Sequence, residues 1–371
     1  MKQKRILFIA SHRKDRAPGQ RFRFEQYMAF LEQNGFHCEL SPIISETDDK
    51  VLYQKGKYLQ KFFIALRAWI KRQKDAWRAN QFDIIFIFRE AFLTGSTFFE
   101  RQFRNSRAKI VFDFDDAIWH LDVSDANKRF DWLKEPGKTA KIISVSDMVL
   151  AGNQYLADYA KHHNNNVKII PTTIDTNEYL KVSREKSRQT VCIGWSGSIT
   201  TIKHFEYALP ALKKLKEKYG EEIIIKVIGD ASYENTELNI KGIAWNKKNE
   251  IQELSSFDIG IMPLPNDEWA KGKCGLKGLQ YMALEIPCIM SPVGVNSDII
   301  TDGINGYLAK EEGEWIEKIS ALIENPTLRH RIGVEARKTV EEKYSVNSQK
   351  EKYLGLLNDI LKTNHPKPNI S

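Results

Sequence analysis

Cysteine is scarce in this sequence. The four present in 371 residues, Cys38, Cys192, Cys274 and Cys288, have no CxxC spacing. That scatter argues against a zinc site or a disulfide framework and for a reducing compartment, with the cytoplasm as the default. Long apolar runs are absent too: none approaches the roughly 20 residues needed to span a bilayer, which excludes a transmembrane helix. The basic, apolar opening MKQKRILFIAS stops at Ser11-His12-Arg13-Lys14, so it reads as a first β-strand rather than a signal peptide. No repeat or low-complexity tract stands out. Acidic residues fall short of basic ones, 48 Asp and Glu against 56 Lys and Arg, for a net charge of +8. An acidic partner is implied, which could be nucleic acid, an anionic membrane face or a phosphorylated small substrate. What is present is a globular composition, 42% apolar and 11% aromatic. The length predicts two domains of roughly 150 to 200 residues each.

Along the chain, strand-like and helical patterns alternate. Arg5 to Ala10 predicts a strand, Arg21 to Leu31 a helix, and Cys38-Glu39-Leu40 the start of a second strand, a βαβ opening. The loop HRKDRAPGQRFRF between them gathers Arg13, Arg16, Arg21 and Arg23 around Pro18-Gly19. In an α/β sheet such a loop lies at the carboxyl edge of the strands, where ligands bind, although an exposed basic loop has the same composition. KGKYLQKFFIALRAWIKRQKDAWR, residues 55–78, aligns Leu59, Phe62, Phe63, Leu66, Trp69 and Ile70 on one helical stripe among many cations. Either it is an interfacial helix for an anionic membrane surface, or it packs on the core with a solvated basic face. Strand patterns return at DIIFIF and KIVFDF, and the second ends in Asp113, Asp115 and Asp116. Carboxylates crowded at a strand end need a compensating cation, metal or substrate, or else Asp116 caps a helix. After Met148 to Ala151 and Val167 to Ile170, the polar stretch from Pro171 to Arg188 predicts a linker. A second α/β series then opens with the Gly/Ser-rich turn GWSGS and Lys203, and continues through a strand ending at Gly229-Asp230.

That second series leads into Pro265 to Leu308. The strand pattern Ile259 to Met262 precedes a loop with Lys271, Gly272, Lys273 and Gly275, and a helical pattern begins at Leu276 and carries Lys277 and Gln280. Glycines, lysines and a helix N-terminus together suit a phosphate, although the loop is neither a P-loop nor a dinucleotide fingerprint. Two α/β series predict two Rossmann-like domains, with the cleft between them as the default site. The predicted divisions are residues 1–178, 179–345, and 346–371, a C-terminal helix returning to the first domain with the loose tail HPKPNIS.

With these elements placed, the chain resembles glycosyltransferase family 4. The segments that carry the resemblance are GLKGLQYMALEIPCIMSPVGVNSDIITDGINGYL, VCIGWSGSITTIKHF, KIVFDFDDAIW, SDMVLAGNQYLADYA and VKIIPTTIDTNEY, in the family's order. The resemblance implies a GT-B fold, two Rossmann-like domains with parallel sheets, and a retaining transferase that uses a nucleotide diphosphate sugar with no metal or other cofactor. It implies donor contacts at Gly19, Ser196, Gly197, Ser198, Lys203, Gly229, Lys273, Gly275, Leu276 and Gln280. Acceptor contacts are implied at Arg21, Arg23 and Arg89, and catalytic roles at Asp115, Asp116 and Lys277. The sequence departs from the family twice. The family's basic residue near the Gly-rich turn is missing, with Trp195 and Ser196 near its place, so that Lys273 and Lys277 are expected to compensate. The family's two glutamates, with seven residues between them, fall on Gly272 and Gln280; Asp267 and Glu268 are the acids that could reach back.

These features predict a transferase that moves a sugar to a saccharide or lipid-linked saccharide in cell-surface polysaccharide synthesis, at the cytoplasmic face of a membrane. A nucleotide-sugar epimerase or a phosphorylase of the same fold is the alternative enzyme class. A non-catalytic nucleotide-sugar-binding or RNA-binding protein is the third reading; the aromatic stacking motifs of RNA-binding modules are not evident, and no nucleic-acid partner is expected.

Overall fold

The computed structural model describes residues 3–52, 54, 56–120, 135, 137–182 and 190–363. The tail HPKPNIS lies outside them, as do Lys55 and most of the charged end of the expected linker. The chain forms two units, Met1–Pro171 with Lys350–Ser371, and Thr172–Gln349. The sequence pattern divides the chain at 178/179 and 345/346, whereas the packing divides it at 171/172 and 349/350. The cause is local. Ile174 donates its amide to Tyr344 and accepts from Val346, and Arg337 donates to the carbonyls of Thr176 and Tyr179, so residues after Pro171 are tied to the second unit.

In the first unit the elements run β1 (Lys4–His12), α1 (Pro18–Arg23), α2 (Met28–Gln33), β2 (Phe36–Ile44), α3 (Glu46–Leu52), α4 (Tyr58–Trp77), β3 (Ile84–Phe88), α5 (Phe98–Arg104), β4 (Lys109–Phe114), α6 (Lys138–Val145), β5 (Met148–Ala151), α7 (Gln154–Lys161) and β6 (Val167–Ile169). The strands form one parallel sheet in the order β2-β1-β3-β4-β5-β6, with Ile6 opposite Ile84, Ile87 opposite Phe112 and Asp113 opposite Leu150. IIFIF of β3 is buried throughout, as a central parallel strand covered on both faces requires.

The helix expected from Arg21 to Leu31 is broken. Phe24, at φ −137, leaves the helical region and stacks on Phe8 at 5.0 Å, beside Phe86. Burying that ring outweighs continuing the helix, because a buried aromatic is worth roughly 1.5–3 kcal/mol.

The second unit runs β7 (Val191–Ser196), α8 (Ile202–Phe205), α9 (Leu209–Tyr219), β8 (Ile223–Ile228), β9 (Glu234–Asn235), β10 (Ile240–Lys241), α10 (Glu250–Leu254), β11 (Ile259–Met262), α11 (Glu268–Lys271), α12 (Leu276–Ala283), β12 (Cys288–Met290), α13 (Asn296–Ile299), β13 (Tyr307–Leu308), α14 (Glu312–Glu324) and α15 (Pro326–Thr339). Its parallel sheet has the order β13-β12-β11-β7-β8, with β9 and β10 as a separate antiparallel pair. Ile193, Ile225, Ile259 and Ile289 of the sheet pack with Leu212, Leu215, Ile319 and Leu322 from the helices to make its core. The last helix, α16 (Val346–Lys362), enters the first unit's fold. There Tyr353 stacks on Tyr27 at 4.4 Å, Lys4 donates to Asn358, and Lys352 donates to the Ile169 carbonyl.

Candidate active site

At the carboxyl edge of the first unit's sheet, acids and arginines neutralise one another in two layers. The inner pair is Asp113 and Arg23, neither with exposed side-chain surface. Arg23 grips both carboxylate oxygens and also donates to the Ile170 carbonyl. Burial pushes the Asp113 carboxyl up and Arg23 pulls it back down. An acceptor contact from Arg23 is therefore not available. Arg21 is 6% exposed, with its guanidinium 4.5 Å over the Phe22 ring, so it too belongs to the interior rather than to an open acceptor site.

The outer layer is built differently. Arg89 follows β3 in the left-handed region, φ 61, a conformation that costs an ordinary residue of order 1 kcal/mol and is common at functional sites. Its Nε donates to Asp115 at 2.7 Å and its Nη2 to Asp116 at 2.6 Å. Desolvation works against the guanidinium charge, but Asp115 and then Asp116 outweigh it and raise its pKa. These side chains keep some surface, 35% for Arg89, 12% for Asp115 and 16% for Asp116. Gly19 closes against them: a Cβ there would lie 2.9 Å from Asp115 Oδ2 and 3.0 Å from Phe88 Cζ. Gly19 thus sits at the acidic edge of the first unit. His12, at the end of β1, has Nδ1 3.8 Å from Asp49, which Arg13 and Arg16 also engage. Burial presses the His12 pKa down to about 4, with Arg16, Arg13 and Arg89 helping and Asp49 opposing.

In the second unit, β7 and β8 end side by side on glycines. Gly197 donates to the Ile228 carbonyl at 2.9 Å. Gly229 has φ +130, and a Cβ on it would lie 2.2 Å from the Gly197 carbonyl oxygen, so the closeness of these two turns depends on the missing side chain. Ser196 is buried, its hydroxyl and amide both engaged by the Tyr281 hydroxyl at 2.9 and 2.8 Å. The donor contact expected of its side chain is thus replaced by an internal bond between β7 and α12. Ser198 is exposed and caps the turn into α8 with Thr201; Lys203 is exposed on that helix.

Helix α12 starts from Gly275 at φ +70, with no side-chain cap. Leu276, Lys273 and Lys277 are half-buried around that start. Lys273 lies 4.7 Å over the Trp269 ring and Lys277 5.6 Å from the Trp195 ring. On α8, within the field of these lysines, His204 is 2% exposed, its Nδ1 buried without a hydrogen-bond partner. Burial, then Lys277, Lys273 and Lys203, push its pKa down to about 4. The two acids that could reach back are used locally: Asp267 caps α11 by accepting from Ala270 at 2.7 Å, and Glu268 pairs with Lys271 at 2.5 Å.

Gln280 is buried, and its amide donates to the Tyr179 hydroxyl at 2.9 Å and to Glu250 at 3.2 Å. Glu250 also accepts from Tyr179 at 2.8 Å and from Trp245 at 2.9 Å. A carboxylate therefore stands one hydrogen bond from the position where the family has its second glutamate. Sequence spacing gave no sign of it, because Glu250 is 30 residues from Gln280. Among the described residues no group of three or more His, Cys, Asp and Glu side chains is placed to hold a metal ion.

Residues 176–339 match the family described as Glycosyl transferases group 1. A trehalose synthase from Thermococcus litoralis is 27% identical over 146 residues, 39% of this chain and 32% of that protein. The capsular polysaccharide biosynthesis glycosyltransferase CapM from Staphylococcus aureus is 25% identical over 216 residues, 55% of each chain. The chain thus spans about a third to a half of the length of these curated relatives. The structure of Anabaena Alr3699/HepE in complex with UDP-glucose superposes with a TM-score of 0.66 at 14% identity, covering 96% of this chain and 99% of that one. Two parallel α/β sheets of this kind are those of the GT-B fold, and the second unit carries the match to the group 1 glycosyltransferase family.

Proposed function

We propose that this protein is a retaining glycosyltransferase that moves a sugar from a nucleotide diphosphate sugar to a saccharide or lipid-linked saccharide acceptor in cell-surface polysaccharide synthesis. The observation that carries the proposal is the cationic ring of Lys203, Lys273 and Lys277 around the uncapped start of α12, whose field helps hold the buried His204 neutral. A diphosphate is complementary to this positive charge, and a helix N-terminus orients its oxygens. The UDP-glucose complex of Alr3699/HepE and the capsular role in CapM's name support the donor class and the pathway.

In the proposed reaction the bond between the anomeric carbon and the diphosphate oxygen breaks, and that oxygen leaves with the electron pair. Lys277 and Lys273 neutralise the departing charge, which is the largest electrostatic demand of the step. The acceptor oxygen attacks the same face, and its proton passes to the departing diphosphate. Asp115, held by Arg89, accepts the hydrogen bond of the attacking hydroxyl and fixes its direction. Gln280 offers its carbonyl oxygen to a ribose hydroxyl while its amide is held by Tyr179 and Glu250. A nucleotide-sugar donor and four buried free cysteines suit the reducing cytoplasm.

Acceptor-dependent release of nucleoside diphosphate from a panel of nucleotide sugars tests the proposal. Release that requires both donor and saccharide, and is lost in Lys277→Ala, is the expected result. Release with no acceptor added, or consumption of donor without release, contradicts it in favour of a hydrolase or an epimerase.

A further inference from the structure

We infer that the outer face of α4 docks the protein on an anionic phospholipid surface. The inference stands apart from the transferase reading. Arg72 has no exposed side-chain surface and donates to the carbonyls of Ala10, Ser41 and Ala91 at 2.7, 2.8 and 2.6 Å, and to Asp75 at 3.0 Å. The inner face of the helix is Lys61, Ile64, Ala68, Arg72 and Asp75. A guanidinium hub, rather than the aromatic stripe, therefore fixes which side faces the sheet.

The stripe consequently points outward. Leu59 is 71% exposed, Phe62 62%, Phe63 52% and Trp69 43%, with Leu66 and Ile70 at similar values. This removes the core-packing alternative left open by the sequence. At 100° per residue these side chains span an arc of roughly 120°, wider than a soluble protein leaves bare without use. The apolar surface continues past Trp69 into a concavity of about 360 Å³ lined by Phe92, Phe98 and Phe99, with Thr94 and Ser96 at its polar margin.

Charge decides the occupant. Lys71 and Lys74 are exposed beside the arc, as is Arg67, which pairs with Asp48 of α3. The only acid on α4 is Asp75, 2% exposed and committed to Arg72 and Ser41. A second copy of this face would bring the same cations and no carboxylate of α4 to meet them. An anionic bilayer offers both the apolar depth and the opposite charge. Among the described residues no helix is long and apolar enough to cross a membrane, so α4 lies in the interface plane.

The test is co-sedimentation of the full chain with phosphatidylcholine vesicles that contain or lack phosphatidylglycerol. Wild type should bind the anionic vesicles and lose binding at high salt. Phe62→Gln with Phe63→Gln should abolish binding, and Lys71→Gln with Lys74→Gln should weaken it about thirtyfold. All four side chains are exposed, so the thermal midpoint should stay put. Wild-type binding that ignores phosphatidylglycerol, or that survives both double substitutions, overturns the inference. So does a dimer in light scattering that Phe62→Gln with Phe63→Gln dissolves, because the face would then join copies of the chain.

Discussion

Gly19 and Asp115 are in contact: a methyl group on Gly19 would come within 2.9 Å of Asp115 Oδ2. The first turn of α1 thereby fixes the position of the carboxylate after β4. Gly19→Ala must move the carboxylate or the start of α1 by a few tenths of an ångström. In the proposed reaction this lowers kcat about ten- to a hundredfold and leaves the donor KM nearly unchanged, because only acceptor alignment is lost. Asp115→Asn should produce the same split. Steady-state kinetics check it, and an unchanged kcat in both variants removes Asp115 from the acceptor side.

Restoring the family's glutamate at Gln280 should harm the protein. In Gln280→Glu a second carboxylate meets Glu250, which Gln280 now contacts at 3.2 Å, and the buried pair must repel or share a proton. A loss of roughly 1–3 kcal/mol in the urea unfolding of the second unit is expected at neutral pH, shrinking as the pH falls and the pair is protonated. Tighter donor binding with undiminished stability would show instead that the site accepts the acid.

Stability should fall as the solution is acidified from neutral pH. His12 in the first unit and His204 in the second are each held near a pKa of about 4, below the 6.5 of an ordinary imidazole. The unfolded chain therefore takes up protons first. The contribution is full above pH 6.5 and is lost as the pH falls toward 4, at up to about 3 kcal/mol per histidine. Burial raises the carboxyls of Glu25, Glu100 and Asp113, which opposes the loss at the acid end, so the slope is clearest between about pH 6.5 and 5. Urea midpoints measured across this range check the sign. His204→Gln should flatten the slope for the second unit, and a pH-independent midpoint in wild type would contradict the assignment.

The periodic elements of the fold were legible in the sequence because central strands such as β3 and β11 bury both faces and read as continuous apolar runs. Ile259 to Met262 is a strand as predicted, and the helix predicted from Leu276 is α12. The broken helix at Phe24 was not legible, because the ring that breaks it answers to Phe8 and Phe86 across the core. The site was legible as a set of residue types but not as a set of roles. Arg23 and Ser196 sit in ligand-like motifs yet spend their side chains on Asp113 and Tyr281. Glu250 and His204 lie in unremarkable surroundings and acquire their environments only when α10 and α8 pack. The orientation of α4 depended on Arg72 reaching three carbonyls from separate segments, which helical periodicity does not encode.

The central claim is that the second unit holds a nucleoside diphosphate through the lysines at the start of α12. Calorimetric titration of the full chain with UDP, GDP and ADP tests it most directly. At least one should bind at a single site, and Lys273→Ala with Lys277→Ala should weaken that binding by about two orders of magnitude or more, each charge-assisted contact being worth roughly 1.5–3 kcal/mol. No binding of any of the three to wild type, or equal binding by the doubly substituted protein, would contradict the account.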